Sequence, residues 1–558
     1  MKNISFKMLF SIITATVLFG SCSKDLNRLP ANQVFGDSVY STPAGFKMSL
    51  ANVYGAYTFS GINGPNGASD IAGVDGGTSD FIRGLWNTQE LPTDEAVCAW
   101  GDPGVPDLHK LAWTGADPIL IGLYSRSLYQ VALCNDFITH CNSIPTSGFS
   151  TTDITNIGYY KAEARFLRAF QYAMLMDEFG NPPFTTETTP VGVLSYPSQI
   201  GRDSLFKYVE KELLACSTTL PAPMQNEYGR ADQAAAWALL ARIYLNAQVY
   251  TGTPRFTDAI TYSSKVINSG YSLMSVYANL FKADNNLNNP EVIMAIPYDG
   301  INTESYGGTT FLVNSACASQ TPDTVRTTVN NVTTVTLNGY HMVPAAYGVP
   351  NGGWGGNRST SALTSLFPTP DTTIDKRGLF LDSARVSSVI SDVSQFSQGI
   401  PVVKFTNITS TGVAAEPSAG GTFCSTDYPL FRLGEQYLIY AEAVIRGGSG
   451  GSSATALKYL NLLRERAYGH PGIAGTDSDY PSLPTLQEIL NERGRELYWE
   501  CLRRSDLIRF NQFTNGTYLW PWKGGVANGT GVDGHYNLFP IPNTDLSANT
   551  KLVQNPGY

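Results

Sequence analysis

Charge is scarce in this chain. Charged residues fill only 15% of its 558 positions, against a usual share of about 25%, so Ser, Thr, Asn, Gln, Gly and Tyr must build much of the surface. Basic residues are the minority, 37 Lys and Arg against 46 Asp and Glu, and they never cluster. Counterion release on nucleic acid would have little to work with, which sets DNA and RNA aside. Beyond the N-terminus no apolar run approaches the roughly 20 residues needed to cross a bilayer. Any membrane link belongs to the start of the chain. The five histidines show no His-x3-His or His-x-His spacing, so a zinc site is not indicated. Neither a P-loop nor a dinucleotide fingerprint occurs. Cys98, Cys134, Cys141, Cys216, Cys317, Cys424 and Cys501 form an odd, widely spaced set without Cys-x-x-Cys, which argues against a disulfide framework and for small core side chains.

The first residues carry a signal of their own. Lys2 and Lys7 precede an apolar stretch from Met8 to Phe19, followed by Gly20, Ser21 and Cys22. This reads as a secretion signal over residues 1–21. Phe19-Gly20-Ser21-Cys22 further fits a lipobox, although Leu18 lies one place before the usual Leu position. Cys22 would then be acylated at the new N-terminus, and more than one acyl chain gives stable anchoring.

Helical periodicity marks several segments. From Asn156 to Phe179 the residues Tyr160, Ala164, Leu167, Phe170 and Met174 recur three or four apart, and Gly180-Asn181-Pro182-Pro183 ends the run. Arg230 to Leu245 matches the tetratricopeptide spacing through Trp237, Leu240, Ala241 and Tyr244, and Phe256 to Ser269 supplies the second helix of the pair. The same grammar returns at Leu433–Arg446 and Ala454–Ala467. The expected fold is therefore mainly α, a tetratricopeptide-like helical-repeat scaffold over 40–60, 117–283 and 429–515. Residues 61–116 and 284–428 are rich in Gly, Thr, Ser, Asn and Pro and poor in helical stripes, so they read as long loops with short strands forming a binding face.

Catalytic motifs are weak. Gly447-Gly-Ser449-Gly-Gly451 has the Gly-x-Ser-x-Gly form but sits in a linker between two helices, and Ser204-x-x-Lys207 stands without supporting motifs. Two facing carboxylates of a glycosidase would leave no local spacing, so an extracellular glycoside hydrolase stays as a rival reading. Asp284 and Asp427 offer oxygen donors of the kind calcium takes, but solvated loop charges account for them, and no metal or cofactor is expected. Glu492, Arg493, Glu496, Glu500 and Arg503 at helical spacing read as structural ion pairs. A sugar ring needs a flat aromatic platform and a polar rim. Among 8 Trp and 30 Tyr, three in loops beside polar or Gly residues stand out: Trp100, Tyr306 and Trp354.

Several stretches together resemble the SusD/RagB family of outer-membrane glycan-binding lipoproteins over essentially the whole chain. They are the lipobox; Ala162-Glu-Ala-Arg165-Phe-Leu-Arg168-Ala169 with Phe179-Gly180-x-x-Pro183; Gly229-Arg230-Ala231; Glu492-Arg493-x-x-Glu496-Leu497-x-x-Glu500-x-x-Arg503-Arg504-x-Asp506-Leu507; and the ending Tyr536-Asn537-x-Phe539-Pro540-Ile541-Pro542 with Gln554-Asn-Pro-Gly-Tyr558. Cys501 stands where the family usually has Gly. The resemblance implies a single domain over 22–558, no catalysis, a lipid-anchored place at the outer-membrane surface, and a TonB-dependent transporter partner over which the lipoprotein sits as a lid.

Asp75 to Trp100, Tyr306 to Val313 and Tyr518 to Gly525 look most like the family's starch-binding branch. By position, Trp100, Tyr306 and Trp354 would form an aromatic arc, and Asp75 and Arg83 would hydrogen-bond sugar hydroxyls. The branch's polar Asn after the Trp100 position is replaced near Asp102-Pro103. The implied ligand is a starch or α-glucan oligosaccharide, with another glycan as the alternative.

Overall fold

Helix starts are encoded as caps. Asp117 accepts the N–H groups of Ile119 and Leu120 at 2.8 and 3.3 Å ahead of Pro118, and the helix runs Pro118–Cys141. The next helix, Thr151–Glu178, begins ahead of the apolar stripe that announces it, because Ser150 and Asp153 close a reciprocal capping box. The computed structural model describes residues 39–558 apart from 62, 66, 145–146, 191–195, 320–322, 330–331, 339–341, 382–386 and 416–420. The expected signal segment 1–21 and Cys22 lie outside these residues.

The molecule is mainly helical. Pro118–Cys141, Thr151–Glu178, Arg202–Thr219, Gln233–Leu245 and Phe256–Ile267 pack each against the next, as the tetratricopeptide grammar predicts. Phe256–Ile267 then packs directly on Leu433–Ile445, which packs on Ser453–Ala467. Two helical blocks far apart in sequence thus form one continuous row. The long insertion between them leaves and returns as an antiparallel pair, Val292–Ile296 with Tyr428–Arg432.

Two intervals read as loops contain helices. Phe81–Gln89 lies inside 61–116 and Gly308–Ser315 inside 284–428. Every residue of the first except Arg83 is buried, and every residue of the second. Both are shorter than the window of about 11–18 residues over which helical periodicity can be counted, and the second is also buried on every side. Asp427 is likewise no solvated loop charge: it is buried and accepts the Tyr298 N–H and the Tyr228 hydroxyl, both at 2.7 Å. Asp284 accepts the Ser410 N–H and hydroxyl at 2.7 and 2.6 Å.

Buried charges clamp the insertion to the C-terminal helices. The Arg432 guanidinium reaches Glu291, Glu496 and Glu500 at 2.9, 2.6 and 2.6 Å, while Arg377 reaches Asp375 and Glu492 at 2.8 and 2.7 Å. Arg466 also pairs with Glu496. Burial alone would raise the Glu496 carboxyl, but Arg466, Arg432 and Arg377 hold it down at about 2. The late Glu/Arg pattern therefore forms ion pairs among elements distant in sequence as well as along its own helix.

The Cys at position 501 has φ +60°, and Trp499 has φ +63°. Left-handed backbone explains why glycine suits this place, since a β-carbon is disfavoured there. Two carboxyls steady the turn: Glu95 accepts the Trp499 N–H at 2.9 Å and Glu90 the Cys501 N–H at 2.6 Å. All seven cysteines of the described chain are buried and unpaired with one another.

Candidate functional site

The shortest ladder in the fold brings two distant tryptophans together. Val97–Cys98 pairs antiparallel with Asn357–Arg358, and the Ala99 N–H donates to Gly356 O at 2.9 Å. Trp100 follows one strand and Trp354 precedes the other, so pairing sets their rings 6.4 Å apart at 47°. The Trp100 indole N–H points to Trp354 O at 3.4 Å. Gly356 is essential to this approach, because a β-carbon there would stand 2.3 Å from the Trp100 ring.

The helix Gly308–Ser315 supplies the third ring and the support. Trp354 N–H donates to Asn314 O at 2.8 Å, and Gly356 N–H to Ser315 O at 2.7 Å, fixing the Gly-rich segment to the helix end. Tyr306 stands just before the helix start, and its ring lies 6.0 Å from Trp354 at 57°. Beneath, Phe311 meets Trp100 edge-on at 6.1 Å, and Phe423 backs Tyr306 at 5.5 Å. Trp100, Trp354 and Tyr306 therefore form one contiguous, mutually tilted row. All three are half-buried, each leaving part of its ring to solvent.

Asp80 locks the corner on which this row rests. It caps the Phe81–Gln89 helix by accepting the Ile82 and Arg83 N–H groups at 3.0 and 3.2 Å, and it also accepts the Gly308 N–H at 2.9 Å and the Ser305 hydroxyl at 3.1 Å. One carboxylate thus joins the starts of two helices. Burial raises its pKa, against the lowering by the Gly308 and Arg83 N–H groups. Gly307 makes room, since a β-carbon there would fall 1.9 Å from Asp80.

The two polar candidates differ in kind. Asp75 is exposed and accepts the Thr78 hydroxyl at 2.6 Å, leaving carboxylate lone pairs for a ligand. Arg83 is largely enclosed: its Nη1 donates to Gly77 O at 2.9 Å and Tyr306 O at 3.1 Å, and its guanidinium packs 4.9 Å from the Phe311 centroid and 5.6 Å from that of Trp100. Burial lowers its pKa, with nearby Asp80, Asp102 and Asp75 among the groups opposing. Arg83 thus positions Tyr306 and Trp100 before it contacts any ligand. Asp102 is exposed beside Trp100 in sequence.

The aromatic segment near the C-terminus has a different role. Trp520 is buried under the Lys523 ammonium at 4.2 Å, Lys523 donates to Asn515 O and Tyr518 O at 2.7 and 2.8 Å, and the Tyr518 hydroxyl donates to Asp94 at 2.5 Å. These groups hold the core rather than a surface. Sequence reasoning missed Asp80, Phe311 and Phe423, and it read the glycines beside Trp354, Gly356 among them, as leaving that ring unshielded rather than as admitting Trp100. Only Asp80 left a local trace, an acidic cap directly before Phe81-Ile82.

Comparison with known proteins gives a consistent picture. Residues 369–558 match the SusD family, and residues 124–245 match the family described as starch-binding and associating with the outer membrane. The starch-binding protein SusD of Bacteroides thetaiotaomicron is 34% identical over 586 aligned positions that cover 100% of both chains. Among solved structures, a SusD homolog from Bacteroides thetaiotaomicron superposes with a TM-score of 0.69 at 18% identity, covering 94% of this chain and 99% of that one. Surface glycan-binding protein A from Bacteroides thetaiotaomicron, in complex with laminarihexaose, gives 0.66 at 20% identity, covering 92% and 99%. The structures share the fold, and the full-length sequence identity carries the kinship: the chain belongs to the SusD family.

Proposed function

We propose that this protein is a cell-surface, lipid-anchored glycan-binding protein that captures starch-type α-glucan oligosaccharides and passes them to a TonB-dependent outer-membrane transporter. The observation that carries the reading is the row Trp100–Trp354–Tyr306, whose neighbours tilt by 47° and 57°. A tilted row follows a bend rather than a plane, as a curved wall of ring faces would. Successive sugars of a coiled α-glucan turn in step with such a wall, whereas a flat ribbon of β-1,4-linked sugars would touch only part of it. Apolar C–H faces lie on the rings, and hydroxyls meet Asp75 and any Arg83 N–H left over from its backbone bonds. Selection is by the shape of the chain.

The same site acts by binding, without turnover. Asp80, the buried carboxylate beneath the row, is committed to backbone N–H groups and the Ser305 hydroxyl, and Asp75 is exposed rather than enclosed as a raised-pKa general acid would be. Two or three stacked rings on an open surface give about −4 to −6 kcal/mol, or millimolar to tens of micromolar dissociation constants. Weak capture suits a protein that must release its cargo to a transporter. Anchoring through Cys22 places the site at the membrane face where that transfer occurs.

Isothermal titration of the purified protein with maltoheptaose and cellohexaose, followed by chromatography of the incubated sugars, tests this. Binding of maltoheptaose alone, with no shorter products, is expected. Preference for cellohexaose would overturn the shape argument, and shortened maltooligosaccharides would overturn the binding-only role.

A further inference from the structure

A second aromatic ring is held rigidly at the surface, away from the row. Tyr228 lies in the loop between the helices Arg202–Thr219 and Gln233–Leu245, and 48% of it is exposed. Its hydroxyl donates to Asp427 at 2.7 Å, and Asp427 is itself buried and tied to the Tyr298 and Asn285 backbone and side chain. The phenol's polar tip is therefore satisfied inside the protein, while its apolar face stays in water in a fixed attitude. The loop beneath is equally fixed: Asp232 accepts the Met224 N–H at 2.7 Å while capping the following helix.

Tyr228 forms one wall of a cleft of about 570 Å³, lined also by Met224, Glu227, Asn286, Asn288 and Val292. That size is within the range of about 300–1,000 Å³ typical of small-ligand sites. Asn286 and Asn288 are exposed, and neither side-chain amide is hydrogen-bonded to another described residue. The cleft's charged groups already have partners: Glu227 pairs with Lys47 at 2.6 Å and with Arg230 at 3.3 Å, Arg230 pairs with Glu163 at 2.6 Å, and the buried Asp232 accepts the Met224, Ala234 and Ala235 N–H groups and the Tyr271 hydroxyl. Nothing there calls for a phosphate, a cation or a charged peptide. A fixed aromatic face, free amides able both to donate and to accept, and charged groups already partnered within the protein match a neutral polyhydroxylated ring.

We propose that the Tyr228 cleft is a second saccharide-binding site, with Tyr228 as the stacking platform and Asn286 and Asn288 as hydroxyl partners. It deepens the glycan-capture reading by adding a separate foothold for the same neutral glucan. The two sites are coupled rigidly. Asp427 joins Tyr228 to Tyr298, the Tyr298 ring occupies the space 2.3 Å from where a Gly308 β-carbon would stand, and Gly308 starts the helix that follows Tyr306. Two footholds at fixed separation favour polymer over short oligosaccharide through effective concentration.

The test uses the purified protein carrying Trp100→Ala, Tyr228→Ala, Tyr228→Phe, and Trp100→Ala with Tyr228→Ala. Saturation-transfer NMR with millimolar maltose, cellobiose and laminaribiose is read on each, and amylopectin retention is read by affinity electrophoresis. We expect Trp100→Ala to keep a saccharide signal that the double variant loses. Tyr228→Ala alone should weaken amylopectin retention about three- to tenfold, and Tyr228→Phe, which keeps the ring but frees it from Asp427, should fall between Tyr228→Ala and the wild type. Absence of any saccharide signal in Trp100→Ala, or a signal that Tyr228→Ala leaves unchanged, overturns the second site. The main-site reading fails separately, when Trp100→Ala leaves maltoheptaose affinity unaltered.

Discussion

Removing the Trp100 indole should nearly abolish oligosaccharide binding while sparing the fold. One sugar face on an indole hides about 80 Å² of apolar surface, which at about 25 cal/mol/Å² is roughly 2 kcal/mol, or about 30-fold in affinity. Against a total of about −4 to −6 kcal/mol, that loss carries the dissociation constant to the millimolar range or beyond it. Trp100→Ala also deprives Trp354 of its neighbour at 6.4 Å and Arg83 of a ring face at 5.6 Å, so the rest of the row loses support. The stability cost is smaller in consequence, about 1–2 kcal/mol for a half-buried ring, leaving a cooperative thermal transition only a few degrees lower. Affinity electrophoresis through amylopectin, with circular dichroism on the same sample, separates the two effects. A folded Trp100→Ala protein still retarded like the wild type would refute the row as the main site.

Other variants probe the supports. Gly356→Ala puts a methyl where the indole lies, so maltoheptaose affinity by titration calorimetry should drop several-fold without altered secondary structure; unchanged affinity would mean the close approach is incidental. Arg432→Leu takes one cation from each of the buried Glu291, Glu496 and Glu500, which keep Arg466, Arg377 and Lys404 between them, a loss of about 3 kcal/mol that urea denaturation would detect, and a variant of unchanged midpoint would contradict the clamp. Asp80→Ala removes one acceptor from three backbone N–H groups and should lower both stability, by about 2 kcal/mol or more in the same urea measurement, and glycan affinity.

Glu90 offers a pH test. Burial first, then the charge of Glu95, raises its carboxyl well above the ordinary glutamate range. With the folded pKa raised, the folded state binds the extra proton, so the wild type is unpenalised below about pH 4.3 and loses stability as pH climbs towards the raised value. Glu90→Gln keeps an oxygen for the Cys501 N–H but cannot ionise. Melting curves should therefore show the variant gaining on the wild type from pH 5 to pH 8, and a difference independent of pH would sink the assignment.

Much of this protein could be read along the chain, because the signals involved are local. A helix with one wet face writes its period into any window of a dozen residues, which is why the Gln233–Leu245 and Phe256–Ile267 pair and the Leu433–Ile445 and Ser453–Ala467 pair were legible. Likewise Trp100, Tyr306 and Trp354 stood out beside glycines and polar groups. What depended on the third dimension was everything set by contact between distant segments: the direct stacking of the two helical blocks, the helices at Phe81 and Gly308 that are too short for a period to be counted, and the turning of Arg83 inward onto Tyr306 O.

Sequence by itself determined the helical class, its repeat units and which rings were candidates, since spacing and neighbour chemistry fix those. Only the tertiary structure decided that a two-residue ladder and one capping carboxylate would set three rings from separate stretches edge to edge. Side-chain convergence is a property of strand pairing and helix docking, and neither leaves a period in the chain.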